Sequence, residues 1–425
     1  MGRFLIFALM GALGLLIWLL WPWYQFEAHS GNAPFLPFGW LTIEDDAPVK
    51  QWTGDERYAD VGDRVLALAV EHRRLIGAPA LSIAVAVDDA LVWQGVTGWA
   101  DLENRVPASA DTQFRIGSTS KAITGTALAR LVERGVMDLD APLSSYFEAV
   151  PNPAWSTITP RQLASHMAGV PHYSENRDWA GLYKTVALDS HYTSMRDALE
   201  IFDGSPLLFE PGTEFSYSSL GTVLLGATMA AAANKPYFEI VREEVLMPAQ
   251  MTSTIVAPAA DGDAGAPDLA SFYFRDNDRY RVWRPVDLSH RLPGGGFVST
   301  PTDLVQMGSL LLNEQYLSDA TRTAFWTPQR LSDGKVNEQN YAIGWRWREW
   351  EIDGIGIVRN ANHGGVSRGS QCWLMVFPDY RMSISMCINA RPPEFHEFAE
   401  IYDDIIREFV PAAISAGIAE PDLDG

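Results

Sequence analysis

The chain is predicted to be an α/β protein of the α+β type: an antiparallel sheet flanked by terminal helices, with a helical lobe inserted between its halves. Three observations predict this. Strand-like apolar runs lie near both ends, at Leu81–Val87 and Leu91–Thr97 and again at Gln371–Phe377 and Met382–Asn389. Residues 118–330 between them carry mostly helical patterns and long loops. Helical periodicity brackets the whole, over 58–75 and 393–410. No internal repeat is present, and a site is expected in the crevice between lobe and sheet.

The N-terminal stretch Phe4 to Phe26 carries no charge. Twenty-three helical residues span about 34 Å, enough to cross a bilayer core. A cleaved signal peptide is the rival reading, but its apolar region usually runs only ~7–15 residues before an A-x-A site. Trp18, Trp21, Trp23 and Tyr24 fit an interfacial aromatic belt instead. Residues 1–26 are therefore read as a transmembrane signal anchor. Arg3 precedes it and four acidic residues follow before Lys50, which puts the remainder on the extracytoplasmic, periplasmic side. Residues 27–57, rich in Pro, Gly and aromatics, read as a linker, and 58–412 as the folded domain. The stretch 413–425 reads as an acidic tail.

Within the domain, Val61, Val65, Leu68 and Leu75 mark the apolar face of the first helix. Asp88-Asp89 turns between the first two strands. Further strands are expected at Ala342–Trp347 and Ile355–Arg359. The net charge of −21, without a basic run, excludes nucleic acid as a partner. Two cysteines exclude a disulfide scaffold and a Cys-rich zinc site. His166 and His172 flank a loop without clustered carboxylates and read as structural, and no metal or organic cofactor is implied.

Chemistry concentrates in Phe114 to Gly135, a predicted helix opened by Gly117 and Ser118, with Ser118 or Thr119 as side-chain cap, and closed by Gly135. From Ala122 to Ala129 it carries no charge, so it should be buried nearly all round. Lys121 then lies one turn after Ser118 on the same face, where partial desolvation lowers an ammonium pKa beside a hydroxyl nucleophile. A second stretch, Glu210 to Met229, places Tyr217-Ser218-Ser219 on a loop before another buried helix. A third, Asn360 to Ser370, has His363-Gly364-Gly365 leading into a strand, with glycines that admit close backbone approach. Gly365-Val366-Ser367-Arg368-Gly369 matches G-x-S-x-G, but a hairpin rather than a helix follows, so Ser367 is rejected as a nucleophile.

Ser118-x-x-Lys121, Tyr217-x-Ser219 and His363-Gly364-Gly365 together resemble the three motifs of serine β-lactamases and penicillin-binding proteins. The Tyr-led second motif is similar to class C and D-aminopeptidase or esterase relatives. The histidine in the third is most similar to the mitochondrial β-lactamase-like serine protease type. Supporting text includes GWADLENRVPASADTQFRIGSTSK and GGGFVSTPTDL. The resemblance covers about 58–410 and implies the β-lactamase/transpeptidase-like fold. It also implies a serine hydrolase that forms an acyl-enzyme on a small-molecule or peptide substrate. Ser118 would be nucleophile, with Lys121 and Tyr217 sharing the role of base. Ser219, His363, Gly364, Gly365 and Val366 would bind substrate, with the N–H groups of Ser118 and Val366 as oxyanion hole. D-amino peptides or cell-wall fragments are the expected substrates. A carboxylesterase or β-lactamase on the same fold, and a silent scaffold, are the alternatives.

Two departures stand out. Ser219 replaces the usual Asn, and His363 replaces the usual Lys, which removes a permanent cation for a substrate carboxylate. Activity is expected to change near the His363 pKa, and His363→Lys to favour carboxylate substrates. Arg368 is expected on the strand face opposite His363. Cys372 and Cys387 should face each other across the last hairpin, where a two-residue turn puts them at a hydrogen-bonded position; they are expected to be reduced, with a disulfide as the alternative.

Overall fold

A computed structural model describes residues 2–417 apart from Asp45, 260–265 and Pro393. The expected start of the C-terminal helix at Pro393 and the tail beyond residue 417 lie outside the described residues. The main sheet has eight strands, seven of them in the order β1 (Val49–Thr53), β3 (Ala90–Asp101), β2 (Ala80–Val87), β7 (Met382–Ile388), β6 (Ser370–Phe377), β5 (Gly356–Ser367) and β4 (Arg346–Ile352). The two-residue strand Val106–Pro107 pairs beside β3, and every pairing is antiparallel. The longer helices are α1 (Gly2–His29), α2 (Ala59–Leu75), α3 (Ser120–Glu133), α4 (Ser219–Ala233), α5 (Pro301–Leu311) and α6 (Ile401–Ser415).

Strand alternation builds two different faces. Leu81, Ile83 and Val85 of β2, with Met382, Ile384 and Met386 of β7, join the terminal helices α2 and α6 in one core. The opposite face is made of small residues, Ala84 and Ala86 on β2 and Ser383 and Ser385 on β7. Small side chains let α5 approach closely. Ser383 Oγ donates to the Val305 carbonyl at 2.8 Å, and a Cβ on Gly308 would sit 2.6 Å from Ser383 Cβ. A larger core under this face unites α3 and α4 with the rest of the inserted lobe.

The predicted architecture holds, with local corrections. Asp88 and Asp89 both take positive φ in the β2–β3 turn. In α2 the buried face is Val61, Val65 and Ala69, while Leu68 and Leu75 point outward. The expected linker contains β1, which pairs in register with β3 from Val49↔Thr97 to Thr53↔Trp93. Of the expected strand Ala342–Trp347 only Arg346 and Trp347 are extended, as the start of β4; residues 342–345 are buried loop, because Gly344 takes φ +77° and breaks the run. The strand expected at Ile355–Arg359 runs instead from Gly356 to Ser367, so His363-Gly364-Gly365 lies within β5 rather than in a segment leading into β6. Pro411 lies inside α6, which runs on to Ser415. Burial of Ile405, Ile406, Phe409 and Val410 offsets the ~3 kcal/mol that an internal proline costs.

The cysteine expectation is half right. Cys372 and Cys387 are direct partners in the β6–β7 register, but they form a disulfide. The last pair before the turn is Phe377↔Met382, leaving four loop residues rather than two. Moving the closing pair by one residue exchanges hydrogen-bonded and non-hydrogen-bonded positions along the whole hairpin. The cysteines therefore fall at a narrow pair, with Cα atoms 4.1 Å apart and side chains converging.

Candidate active site

Two glycines press β5 onto the start of α3. Gly117 takes φ +52°, and a Cβ there would lie 2.5 Å from the Val366 carbonyl oxygen. A Cβ on Gly365 would lie 2.0 Å from the Ile116 oxygen and 2.7 Å from the Ser118 nitrogen. Only backbone fits between them, so Val366 is held beside Ser118. Ser118 itself sits in the 3-10 turn Gly117–Thr119 that precedes α3. The expected side-chain cap is absent. Thr119 Oγ1 instead donates to the carbonyls of His363 and Cys372, at 3.2 and 3.3 Å, pinning the turn to the sheet.

Lys121 is 1% exposed. Its Nζ donates to Ser118 Oγ at 3.2 Å, Ser219 Oγ at 2.9 Å and the Gly294 carbonyl at 2.8 Å. All three acceptors are neutral. Among the described residues no carboxylate pairs with it, so burial holds the ammonium pKa below its usual range. The Tyr217 ring lies 4.8 Å from Nζ. Burial by itself raises the Tyr217 phenol, but the charges of Lys121 and Arg346 outweigh it and bring the net shift down. Both groups thus give up a proton more readily than they would in water, Lys121 through burial and Tyr217 through the charges beside it.

The second-motif loop is held by two histidines. His166 Nδ1 accepts from the Ser218 N–H at 3.2 Å, and His172 Nδ1 accepts from the Ser219 N–H at 3.1 Å. Ser219 is the first residue of α4 rather than a loop residue, and Ser218 caps that helix by accepting from the Gly221 N–H. His166 and His172 thus hold this loop, and both must be neutral to accept. Burial, then the charges of Lys121 and neighbouring arginines, holds His166 well below 6.5 and His172 at about 4.

His363 differs from expectation. It is fully buried, with Nε2 2.8 Å from the Tyr341 hydroxyl and Nδ1 2.8 Å from the Gly364 carbonyl. The carbonyl can only accept, so Nδ1 carries the proton and Tyr341 donates to Nε2. Burial and the Arg346 and Lys121 charges keep its pKa well below 6.5. A lysine here would bury a further cation beside two others, so His363→Lys is expected to destabilise the fold rather than help a carboxylate substrate.

The histidines set a stability limb. In the unfolded chain each titrates near 6.5. Those at 166, 172, 290 and 363 are depressed in the fold. Their contribution is fully present above about pH 6.5 and is lost as pH falls toward and through about 4, because the unfolded state then binds more protons. The melting temperature should therefore drop between pH 6.5 and 4, with no histidine limb in activity between pH 6.5 and 8. A melting temperature constant down to pH 4 would contradict this.

A cavity of about 620 Å³ opens over Ser118, with Tyr217, Ser219 and Val366 in its wall. Lys121 lies beneath it, and His363, Gly364 and Gly365 are not in the lining. Several lining groups were not legible as site residues. Arg368 occupies the two-residue turn between Ser367 and Ser370, where strand alternation no longer applies, and it lines the same cavity. Ser367 is the last residue of β5, paired with Ser370 at the start of β6, so no strand-to-helix elbow exists there. Arg291 comes from the segment before Gly294, within HRLPGGGFV, whose run of glycines was the available signal. His29 and Ser30, at the end of α1, complete the rim.

The fold, with a serine hydroxyl on a buried lysine between sheet and helical lobe, is that of a serine hydrolase. The chain belongs to the β-lactamase family, whose model matches residues 48–407. Among curated relatives, the human mitochondrial serine β-lactamase-like protein LACTB is 27% identical over 385 residues, covering 72% of this chain and 70% of its own. The D-amino acid amidase from Ochrobactrum anthropi SV3 superposes with a TM-score of 0.67 at 20% identity, covering 84% of this chain and 99% of that one. The octameric penicillin-binding protein homologue from Pyrococcus abyssi gives 0.63 at 20% identity, over 85% and 78%. These two likenesses are of fold.

Proposed function

We propose that the chain is a membrane-anchored serine hydrolase that forms an acyl-enzyme through Ser118 on amide, peptide or ester substrates. D-amino peptides and cell-wall fragments are the substrate class. One observation carries the reading: a buried ammonium 3.2 Å from the Ser118 hydroxyl, without a carboxylate partner among the described residues. Ser118 Oγ bonds to the substrate carbonyl carbon while its proton passes to the Lys121–Tyr217 pair. The N–H groups of Ser118 and Val366 receive the developing oxyanion, each donor typically worth about 3–4 kcal/mol of barrier. The pair returns the proton to the departing amine or alcohol, then deprotonates the water that releases the acid. Ser219 orients Lys121, and His363 is a positioning residue acting through Tyr341.

A screen with p-nitrophenyl esters, D-amino amides and nitrocefin tests the activity. Turnover of an ester or amide with a trappable acyl-enzyme supports it, and inertness toward all three, with no fluorophosphonate adduct, overturns it in favour of a scaffold.

The anchor reading rests on α1, whose most apolar 18-residue window is wholly unburied while Ala28 and His29 are packed into the domain. The protein should stay in the membrane fraction after carbonate washing, and deletion of residues 1–30 should release it. That deletion also removes His29 and Ser30 from the cavity rim, so a rise in KM should accompany release. A mature N-terminus near Gly31 would replace the anchor with a cleaved signal peptide.

A further inference from the structure

Residues 27–57 read in sequence as a linker, yet no slack separates the apolar span of α1 from the cavity. The helix is continuous from the span to His29, and its last turns are packed against the domain. Past the helix the chain is strapped down. The Tyr24 hydroxyl donates to the Pro34 carbonyl at 3.0 Å, and Asn32 Nδ2 donates to Glu27 at 2.9 Å. Arg281 Nη1 then donates to the carbonyls of Leu36 and Phe38, at 3.2 and 2.6 Å, and Leu41 pairs with Tyr280. A flexible linker of n residues lets a domain wander by about 5–6 Å × √n. This junction holds the domain at one height and one tilt on its helix.

The same helix is a wall of the cavity. The His29 ring lies 4.3 Å from that of Trp283 and 4.8 Å from that of Phe35, which lies 5.1 Å from Phe274. His29, Phe274 and Trp283 all face the cavity that opens over Ser118. One turn earlier, the Phe26 ring lies 5.3 Å from the Arg368 guanidinium of the β5–β6 turn. Depth along α1 follows from helical rise. Phe4 to Trp21 covers about 27 Å, close to the ~30 Å of a hydrocarbon core. His29 lies about 12 Å beyond Trp21, at the outer edge of a headgroup layer ~5–8 Å deep. Two bare apolar side chains stand beside it. The helix Trp179–Ala187 packs against α1 and leaves Trp179 83% exposed, and Phe38 is 65% exposed. Aromatic rings at that level suit the interface between lipid and water.

We propose that the catalytic cavity opens at the membrane surface, with Trp179 and Phe38 seated in the headgroup layer beside α1. Ser118 then takes acyl donors whose hydrocarbon tail stays in the bilayer. The inference rests on the anchor and hydrolase readings above, and it narrows the substrate class to amphipathic esters and amides. A peptide qualifies when a lipid carries it. The chemistry is unchanged: the Ser118 Oγ–acyl bond forms as the bond to the departing alcohol or amine breaks, and water then releases the acid. The donor arrives along the membrane plane rather than from bulk water.

The test uses the full-length protein in phosphatidylcholine vesicles, with p-nitrophenyl palmitate in the bilayer and p-nitrophenyl acetate in the water. A fifteen-residue Gly/Ser insertion between Trp21 and Pro22 lifts the domain by about 20 Å and keeps His29 and Ser30 in the cavity wall. Pro22 is suited to begin the helix that remains. The insertion should leave acetate turnover within twofold and lower palmitate turnover at least tenfold. Trp179→Ala and Phe38→Ala should each lower palmitate turnover threefold or more without changing acetate turnover. A polarity-sensitive fluorophore on the Trp179→Cys variant reads docking without turnover, because the two native cysteines are bonded and buried. Its emission should be blue-shifted and quenched by spin-labelled lipid, and the insertion should abolish both effects. A palmitate-to-acetate ratio that the insertion changes less than threefold, or a label that reports water in the vesicles, overturns the proposal. Release of the wild type by carbonate overturns the anchor reading and this inference together, whereas retention with an unchanged ratio overturns this inference alone. Absence of a fluorophosphonate adduct removes the hydrolase reading and the substrate class with it, and the label at position 179 still decides the docking.

Discussion

Ser118→Ala is expected to abolish fluorophosphonate labelling and to lower kcat by at least about 10⁴-fold, the scale on which removing a serine nucleophile acts. Labelling should survive Ser367→Ala. The structural reason lies in what each hydroxyl can reach. Ser118 Oγ accepts from Lys121 Nζ at 3.2 Å, and two glycines hold the Val366 backbone beside it. Ser367 ends β5, paired with Ser370 across a two-residue hairpin turn. Loss of labelling with Ser367→Ala and its retention with Ser118→Ala would transfer the chemistry to the hairpin turn. The Ala variant is expected to fold, since Ser118 is only half-buried and caps no helix.

Lys121→Met should lower kcat by about 10² to 10⁴, the usual contribution of a positioned proton acceptor. Its effect on stability should be small by comparison. The substitution leaves Ser219 Oγ and the Gly294 carbonyl without their donor, at about 1–3 kcal/mol for each buried group left unpaired. It also removes a buried charge that has no carboxylate partner, which offsets part of that cost. Thermal melts and single-turnover kinetics on the same preparation check both expectations. Tyr217→Phe provides the comparison: if Lys121→Met keeps full activity and Tyr217→Phe does not, the phenol alone accepts the proton. The Arg346 guanidinium, 5.3 Å from the Tyr217 ring, would then be what holds the phenolate.

The readable parts of the site were the local ones. Ser118 and Lys121 are three residues apart, so helical geometry alone puts them on one face, and the uncharged run from Ala122 to Ala129 indicates burial. Rejection of Ser367 needed only the recognition of two adjacent strands. The unreadable parts depend on distant chain. Gly294 lies 173 residues from the lysine it accepts from, and its carbonyl has no sequence signature. His363 reads as a site histidine in sequence, whereas in the fold it is buried and paired with Tyr341, 22 residues earlier.

The sequence by itself determined the sheet-and-lobe architecture, the buried helix with its serine and lysine, and the partnership of Cys372 with Cys387. All three follow from periodicities of two and 3.6 residues and from the register of one hairpin, which are properties of neighbouring residues. Tertiary structure alone decided that those cysteines are bonded, because a turn of four residues rather than two selects which pairs converge. It decided that His363 is neutral, because burial and two cations act on it from other elements. It also brought Arg291, Arg368 and the end of α1 to one cavity. Charge and burial act through space, and these groups meet there only after lobe, sheet and first helix have packed.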